Sequence, residues 1–156
     1  MQIKVSAAVD DRAVMRALAR YGPAELGRRS RRAMAESLAF LQAGIQSRFP
    51  ADTGVTRAAT FTAMRGQTMD QLRGVVANPL AHAGVLEFGR RAGGPMPPVS
   101  VIERWAQRKL GASGLGFVIA RSIARKGTKP VRMFQETWER GARTVRAIWT
   151  RRLGGP

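Results

Sequence analysis

The sequence predicts an α+β domain in which helices pack on a small antiparallel sheet or hairpin, with a helix-rich C-terminal half. Three observations predict it. Apolar residues alternate near the N-terminus, and β-favouring stretches recur in the middle of the chain, as strands require. Elsewhere apolar residues recur every three or four positions, as the buried side of a helix requires. Glycine and proline punctuate the chain where one pattern gives way to the other.

Each element has its own reason. Ile3, Val5, Ala7 and Val9 alternate with Gln2, Lys4, Ser6 and Ala8, the pattern of a half-buried strand. Asp10 or Asp11 caps a helix to about Arg20, and Tyr21-Gly22-Pro23 breaks it. Glycine suits the end of one helix and proline the first turn of the next. A long helix then runs from about Ala24 to Phe49, with Met34, Leu38, Leu41 and Ile45 on one stripe. Arg28, Arg29, Arg31 and Arg32 crowd its first half, the wrong pole of the helix dipole for cations. They form either a solvated basic face or a face with an acidic neighbour.

Pro50 stops that helix, and Asp52-Thr53-Gly54 makes a turn. Two strand candidates, 58–65 and 72–77, read as a hairpin with a loop between them, and Asn78-Pro79 ends the second. Residues 80–88 are short, apolar and helical in pattern. Residues 89–98, rich in glycine and proline and carrying Arg90 and Arg91, read as a mobile loop. Ser100 and Glu103 have the spacing of a capping box. The helix they open is expected to bury Ile102, Trp105, Ala106 and Leu110 and to stop at Gly111. Residues 112–116 are a small-residue hinge. Phe117 to Lys126 is a helix stopped by Gly127, and Thr128-Lys129-Pro130 a turn. The last helix opens at Phe134, with Trp138, Ala142, Val145 and Trp149 on its apolar side and Arg140, Arg143, Arg146 and Arg151 opposite. The expected organisation is one domain over 1–153 with a frayed tail at 154–156.

Charge narrows the function. The 156 residues hold 27 Lys and Arg, 23 of them Arg, against 10 carboxylates, for a net charge of +17. Residues 98–156 alone carry 13 cations and 3 carboxylates. Such a chain repels copies of itself and attracts acidic partners: nucleic acid, an acidic protein or an anionic membrane. It has no cysteine, which excludes disulfides, thiolate metal sites and thiol catalysis. It has no apolar run long enough to span a membrane, and its first residues lack the pattern of a signal peptide, so a cytosolic site of synthesis is expected.

Catalytic patterns are not visible. His82 is the only histidine, and no nucleophile motif occurs. Gly111 to Gly116 resembles a phosphate loop but lacks its Lys-Ser/Thr and lies between helices. The chain is therefore expected to be no enzyme and to need no metal or cofactor.

Several segments fall in a telling order. A long helix leads into Asp52-Thr53-Gly54-Val55-Thr56-Arg57, then a hairpin, then AHAGVLEFG at 81–89 and a Gly/Pro-rich loop. A Trp-containing helix follows, then a helix ending IARKGTKP at 123–130, and Phe134 opens the last helix. Over residues 25–140 this order resembles the small neck proteins of long-tailed bacteriophages and gene transfer agents, called head–tail joining, tail-completion or minor tail proteins. The resemblance implies a non-enzymatic virion component at the head–tail interface. It implies a ring of identical subunits, usually sixfold, between tail-tube or terminator proteins and the head connector, with contact to packaged DNA left open. On it Glu87, Phe88 and Gly89 shape the helix end entering the loop, with Glu87 paired to an arginine of its own or a neighbouring subunit. Thr53, Gly54, Arg57, Ser100, Glu103, Gly127 and Phe134 are the structural motif residues. Arg90, Arg91, Arg140, Arg143 and Arg146 are expected to meet partners. The alternative is a basic nucleic-acid-binding protein without a virion role.

Overall fold

A computed structural model describes residues 2–5, 11–50 and 54–154. The elements, in order, are β1 (Gln2–Val5), α1 (Asp11–Arg48), α2 (Val55–Ala58), β2 (Phe61–Arg65), β3 (Arg73–Ala77), α3 (Ala81–Phe88), α4 (Val99–Leu110), α5 (Gly116–Lys126) and α6 (Met133–Gly154). This is an α+β protein with a helix-rich C-terminal half. It forms two compact units, one built from α1, α2, the sheet and α6, the other from α3, α4 and α5. Ala7, Val9, Asp10, Asp52 and Thr53 lie outside the described residues.

In the first unit the three strands form an antiparallel sheet in the order β1-β3-β2. Ile3 is registered with Val76, and Thr62 on the other side with the same residue. Strand β3 is central because Val75 and Val76 suit a pleated, covered surface. It meets α1 at Gly74, where a Cβ would run into the Met34 side chain. The hairpin is shorter than its sequence suggests. Residues 55–58 wind into α2, with Ala58 N–H donating to Gly54 O at 2.9 Å, and the strand starts only at Phe61. Alanine favours helix over strand, and these alanines follow a turn.

Helix α1 breaks where expected, at Gly22, which has φ 68° and ψ 166° ahead of Pro23. Beyond it the stripe of Met34, Leu38, Leu41 and Ile45 is buried as the spacing predicts, and Phe49 extends it. Helix α6 lies against α1, but on a face rotated from the expected one. Phe134, Thr137, Gly141, Val145 and Ile148 are buried, while Trp138 and Trp149 are only half-buried. Close approach explains the rotation. A Cβ on Gly44 would lie 2.8 Å from Thr137 Cγ2, and one on Gly141 would lie 2.8 Å from Phe40 Cε1. Small residues let the two backbones meet, and the bulky indoles move to the flanks.

Two of the four arginines at the start of the long helix have an acidic neighbour, and Arg31 instead donates to Gly66 O at 2.8 Å. Glu25 pairs with Arg28 at 2.7 Å and Arg29 at 2.9 Å. Arg29 also stacks 4.0 Å over the Tyr21 ring. Arg29 and Arg20 donate to Arg152 O and Gly154 O, the carbonyls at the negative pole of α6. Arg151 and Arg152 in turn hold Glu36.

In the second unit α4 and α5 form a hairpin through small residues. Ala106 and Ala120 are fully buried. Trp105 and Leu110, expected inside, are exposed by 37% and 56%. The faces in contact use alanine and glycine, so the hairpin has no room for the indole between its helices.

Candidate functional site

Two of the sequence motifs meet in a small clasp. Helix α3 ends at Phe88, and Gly89 turns the chain with φ 72°. Arg90 then pairs antiparallel with Thr128, each N–H donating to the other's carbonyl at 3.1 and 3.0 Å. Both flanking glycines are obligatory. A Cβ on Gly89 would collide with Thr128 O, and one on Gly127, at φ 71°, would collide with Arg90 O. Val131 N–H donates to Leu86 O at 2.7 Å on one side, and Gly93 N–H to Ala124 O at 2.8 Å on the other. The Arg90 guanidinium donates to Pro95 O at 2.6 Å, so its fork is engaged within its own loop. Arg91 beside it is exposed.

Around the clasp the side chains separate sharply. Glu87 is 2% exposed, and Phe88, the next residue, is 73% exposed. The helix end therefore buries a carboxylate and presents a phenyl ring to solvent.

Ser100 and Glu103 do not form a capping box. Helix α4 starts two residues earlier than that motif requires, with Pro98 at the cap and no side-chain cap bond, and Ser100 is exposed. Glu103 caps the next helix instead. Its two oxygens accept from Gly114 N–H and Gly116 N–H, each at 2.6 Å. These bonds, with a further one from Gln107 Nε2 at 3.2 Å, hold its carboxyl below the usual range. Gly116 is needed there, because a Cβ would lie 2.7 Å from Glu103 Oε2.

Gly54 turns at φ 77° into α2, and Arg57 is exposed on that helix. The turn is fastened by a buried residue that the sequence marks only as a strand end. Asn78, 1% exposed, donates from Nδ2 to Thr56 O at 2.7 Å and to Thr60 Oγ1 at 3.0 Å, and its Oδ1 accepts from Leu80 N–H. Gln42 adds a bond to Thr60 O at 2.7 Å. The Asn-Pro pair signals only the end of a strand. Its role as a hub appears only when residues 56, 60 and 78 come together.

Phe134 is fully buried in the α1–α6 contact. Arg140, Arg143 and Arg146 are exposed on α6, opposite the buried stripe as expected. Two glutamates share their side of the helix. Glu136 pairs with Arg140 at 3.3 Å and lies 3.9 Å from Arg48, and Glu139 accepts from Gln135. The α6 surface is therefore of mixed sign.

His82 is exposed. Among the described residues no three His, Asp or Glu side chains gather where they could hold a metal ion, and no helix is long and apolar enough to cross a membrane. What the geometry offers is contact surface. Comparison with protein-family models, with curated proteins and with solved structures gives no match.

Proposed function

We propose that the chain is a structural, non-enzymatic subunit of a ring that joins tail to head in a long-tailed bacteriophage or gene transfer agent. Its partners are copies of itself, a tail-tube or terminator protein, and a head-completion connector. The observation that carries this reading is the clasp. Two motifs of the resemblance, Glu87-Phe88-Gly89 and Lys126-Gly127-Thr128, pair through Arg90 and Thr128, and both glycines are sterically required. Motifs that lie far apart in sequence and pair in space support a shared fold rather than chance matches. A ring multiplies the charge of +17, so acidic protein neighbours or DNA must lie beside it.

The exposed Arg140, Arg143 and Arg146 favour the second reading, a nucleic-acid-binding protein without a virion role. One experiment separates the two. The purified protein is imaged and its mass measured in solution, alone and with tail-tube and connector proteins, and its affinity for duplex DNA is measured against salt. A closed ring that seats on those partners is expected. A monomer that binds duplex tightly at physiological salt, with affinity falling steeply as salt rises, overturns the neck reading.

A further inference from the structure

We propose that the last turn of α6 is a polar latch across the break in α1, so that this turn and the arm of α1 before the break open together while the rest of the α1–α6 pair stays packed. Gly22, at φ 68° and ψ 166°, lies outside the helical region, and Pro23 has no N–H to bond back across it. Residues 11–21 are therefore an arm set off from the body of α1. Both sides of the break reach the same end of α6. From the arm, the Arg20 guanidinium donates to Gly154 O at 3.4 Å. From beyond the break, Arg29 donates to Arg152 O at 3.3 Å. The two guanidiniums also share the Tyr21 ring, at 5.4 and 4.0 Å from its centre. The carbonyls they reach lie where a helix supplies no donor of its own.

Burial holds this end less than charge does. Ile148 is the last buried residue of α6. Trp149 and Leu153 are half-buried, and Thr150, Arg151, Arg152 and Gly154 are exposed. Among the described side chains of the arm only Ala17 is buried, and Met15 is 66% exposed. Arg151 and Arg152 both pair with Glu36, Arg152 at 2.9 Å, and Arg29 pairs with Glu25 at 2.9 Å. Bonds from Arg152 and Arg151 hold the Glu36 carboxyl below the usual carboxylate range. Arg20, Arg28, Arg29, Arg151 and Arg152 thus gather around two carboxylates. Neutralising one carboxylate leaves like charges facing each other. Arg29 touches Glu25, Tyr21 and Arg152 O at once, so a change that frees the end of α6 from it also loosens the arm. Exposed ion pairs are weak one by one. An end held by them opens more readily than a stretch that buries Phe134, Val145 and Ile148.

The latch is a property of the single chain and goes beyond the neck reading. Hydrogen exchange of the full chain, read by mass spectrometry, tests it. In the native chain residues 149–154 and 15–21 are expected to exchange at similar rates, both faster than residues 138–148. Glu36→Gln is expected to speed exchange in both segments roughly tenfold and to leave residues 138–148 and 33–45 as they were. Arg29→Lys keeps the charge but loses the planar fork, and is expected to do the same to a smaller degree. Arg146→Gln, on the exposed side of α6, is the control and is expected to change neither segment. Circular dichroism checks that each variant folds. Faster exchange in one segment alone overturns the latch, because the two would then open separately. No change in either segment overturns it too, as does equal speeding along the whole of α6.

Discussion

Both helix pairs of this protein meet through small residues, yet they place their large side chains on opposite sides of that contact. Between α1 and α6, Gly44, Thr137 and Gly141 bring the backbones together, and Phe134, Leu41 and Ile45 are buried. Between α4 and α5, Ala106, Gly116 and Ala120 make the contact, while Trp105, Phe117 and Val118 face outward. Apolar area removed from water is what stabilises a helix pair. The first pair has it, and the second keeps a good part of its apolar area exposed. The same division runs through the charges. Around α1 and α6 the arginines find Glu25, Glu36 and Glu136 within the chain. On α4 the one carboxylate caps a neighbouring helix. One pair is a core, and the other is a surface held in shape by caps and backbone bonds.

The largest expected effect tests the core side of this contrast. Phe134→Ala is expected to cost about 3–5 kcal/mol in urea denaturation, because it empties a fully buried site. Trp105→Ala removes a larger side chain but is expected to cost less, about 1–2 kcal/mol, because over a third of that side chain already meets water. Equal losses would break the comparison.

Next comes crowding. Gly141→Val is expected to cost about 1–3 kcal/mol, since the added carbons meet the Phe40 ring. Asn78→Ala is expected to cost a similar amount, about 1–3 kcal/mol, by stripping the partners from Thr56 O, Thr60 Oγ1 and Leu80 N–H. Normal stability in Asn78→Ala would mean that water replaces the hub.

A smaller effect sharpens the surface side. The Glu103 carboxyl lies below its ordinary value of 4.5 in the folded protein. Its contribution is therefore complete above that pH and fades as the pH drops further, through the lowered folded value. Glu103→Gln is expected to lower the melting midpoint by a few degrees at neutral pH, and the gap to the native protein should close in acid. A gap that stays constant from neutral pH into strong acid would mean that the charged cap is not what holds α5 to α4.

The smallest effect concerns Arg132, which enters α6 in a left-handed conformation with φ 54°. Arg132→Gly is expected to raise stability by about 1 kcal/mol, by relieving that conformation. Calorimetry would read it, and a loss instead would mean that the arginine side chain makes up for its backbone.

Local pattern carried much of this fold. Gly22-Pro23 marks the break in α1, the Met34–Ile45 stripe marks its buried face, and Gly111 and Gly127 mark two helix ends, because each depends on neighbours within a turn or so of chain. The failures share one cause. The helical spacing places Trp138 and Trp149 on the apolar stripe of α6, but the close approach of α1 demands glycine and threonine there. The Ser100–Glu103 spacing suggests a cap on its own helix, but Gly114 and Gly116 bring a nearer pair of donors. Trp105 belongs to an apolar stripe on paper, and its partner helix offers it no space.

By itself the sequence determined the order of the strands and the longer helices, though not the short α2, along with the excess of arginine and the glycines that must bend the chain, since these follow from local sterics and from counting. Only tertiary structure decided which side of α6 is buried, which carboxylates meet which arginines, and that Gly89 and Gly127 guard one clasp. Those outcomes depend on groups far apart in the chain arriving within a few ångströms of each other, and periodicity along one segment carries no record of what it will meet.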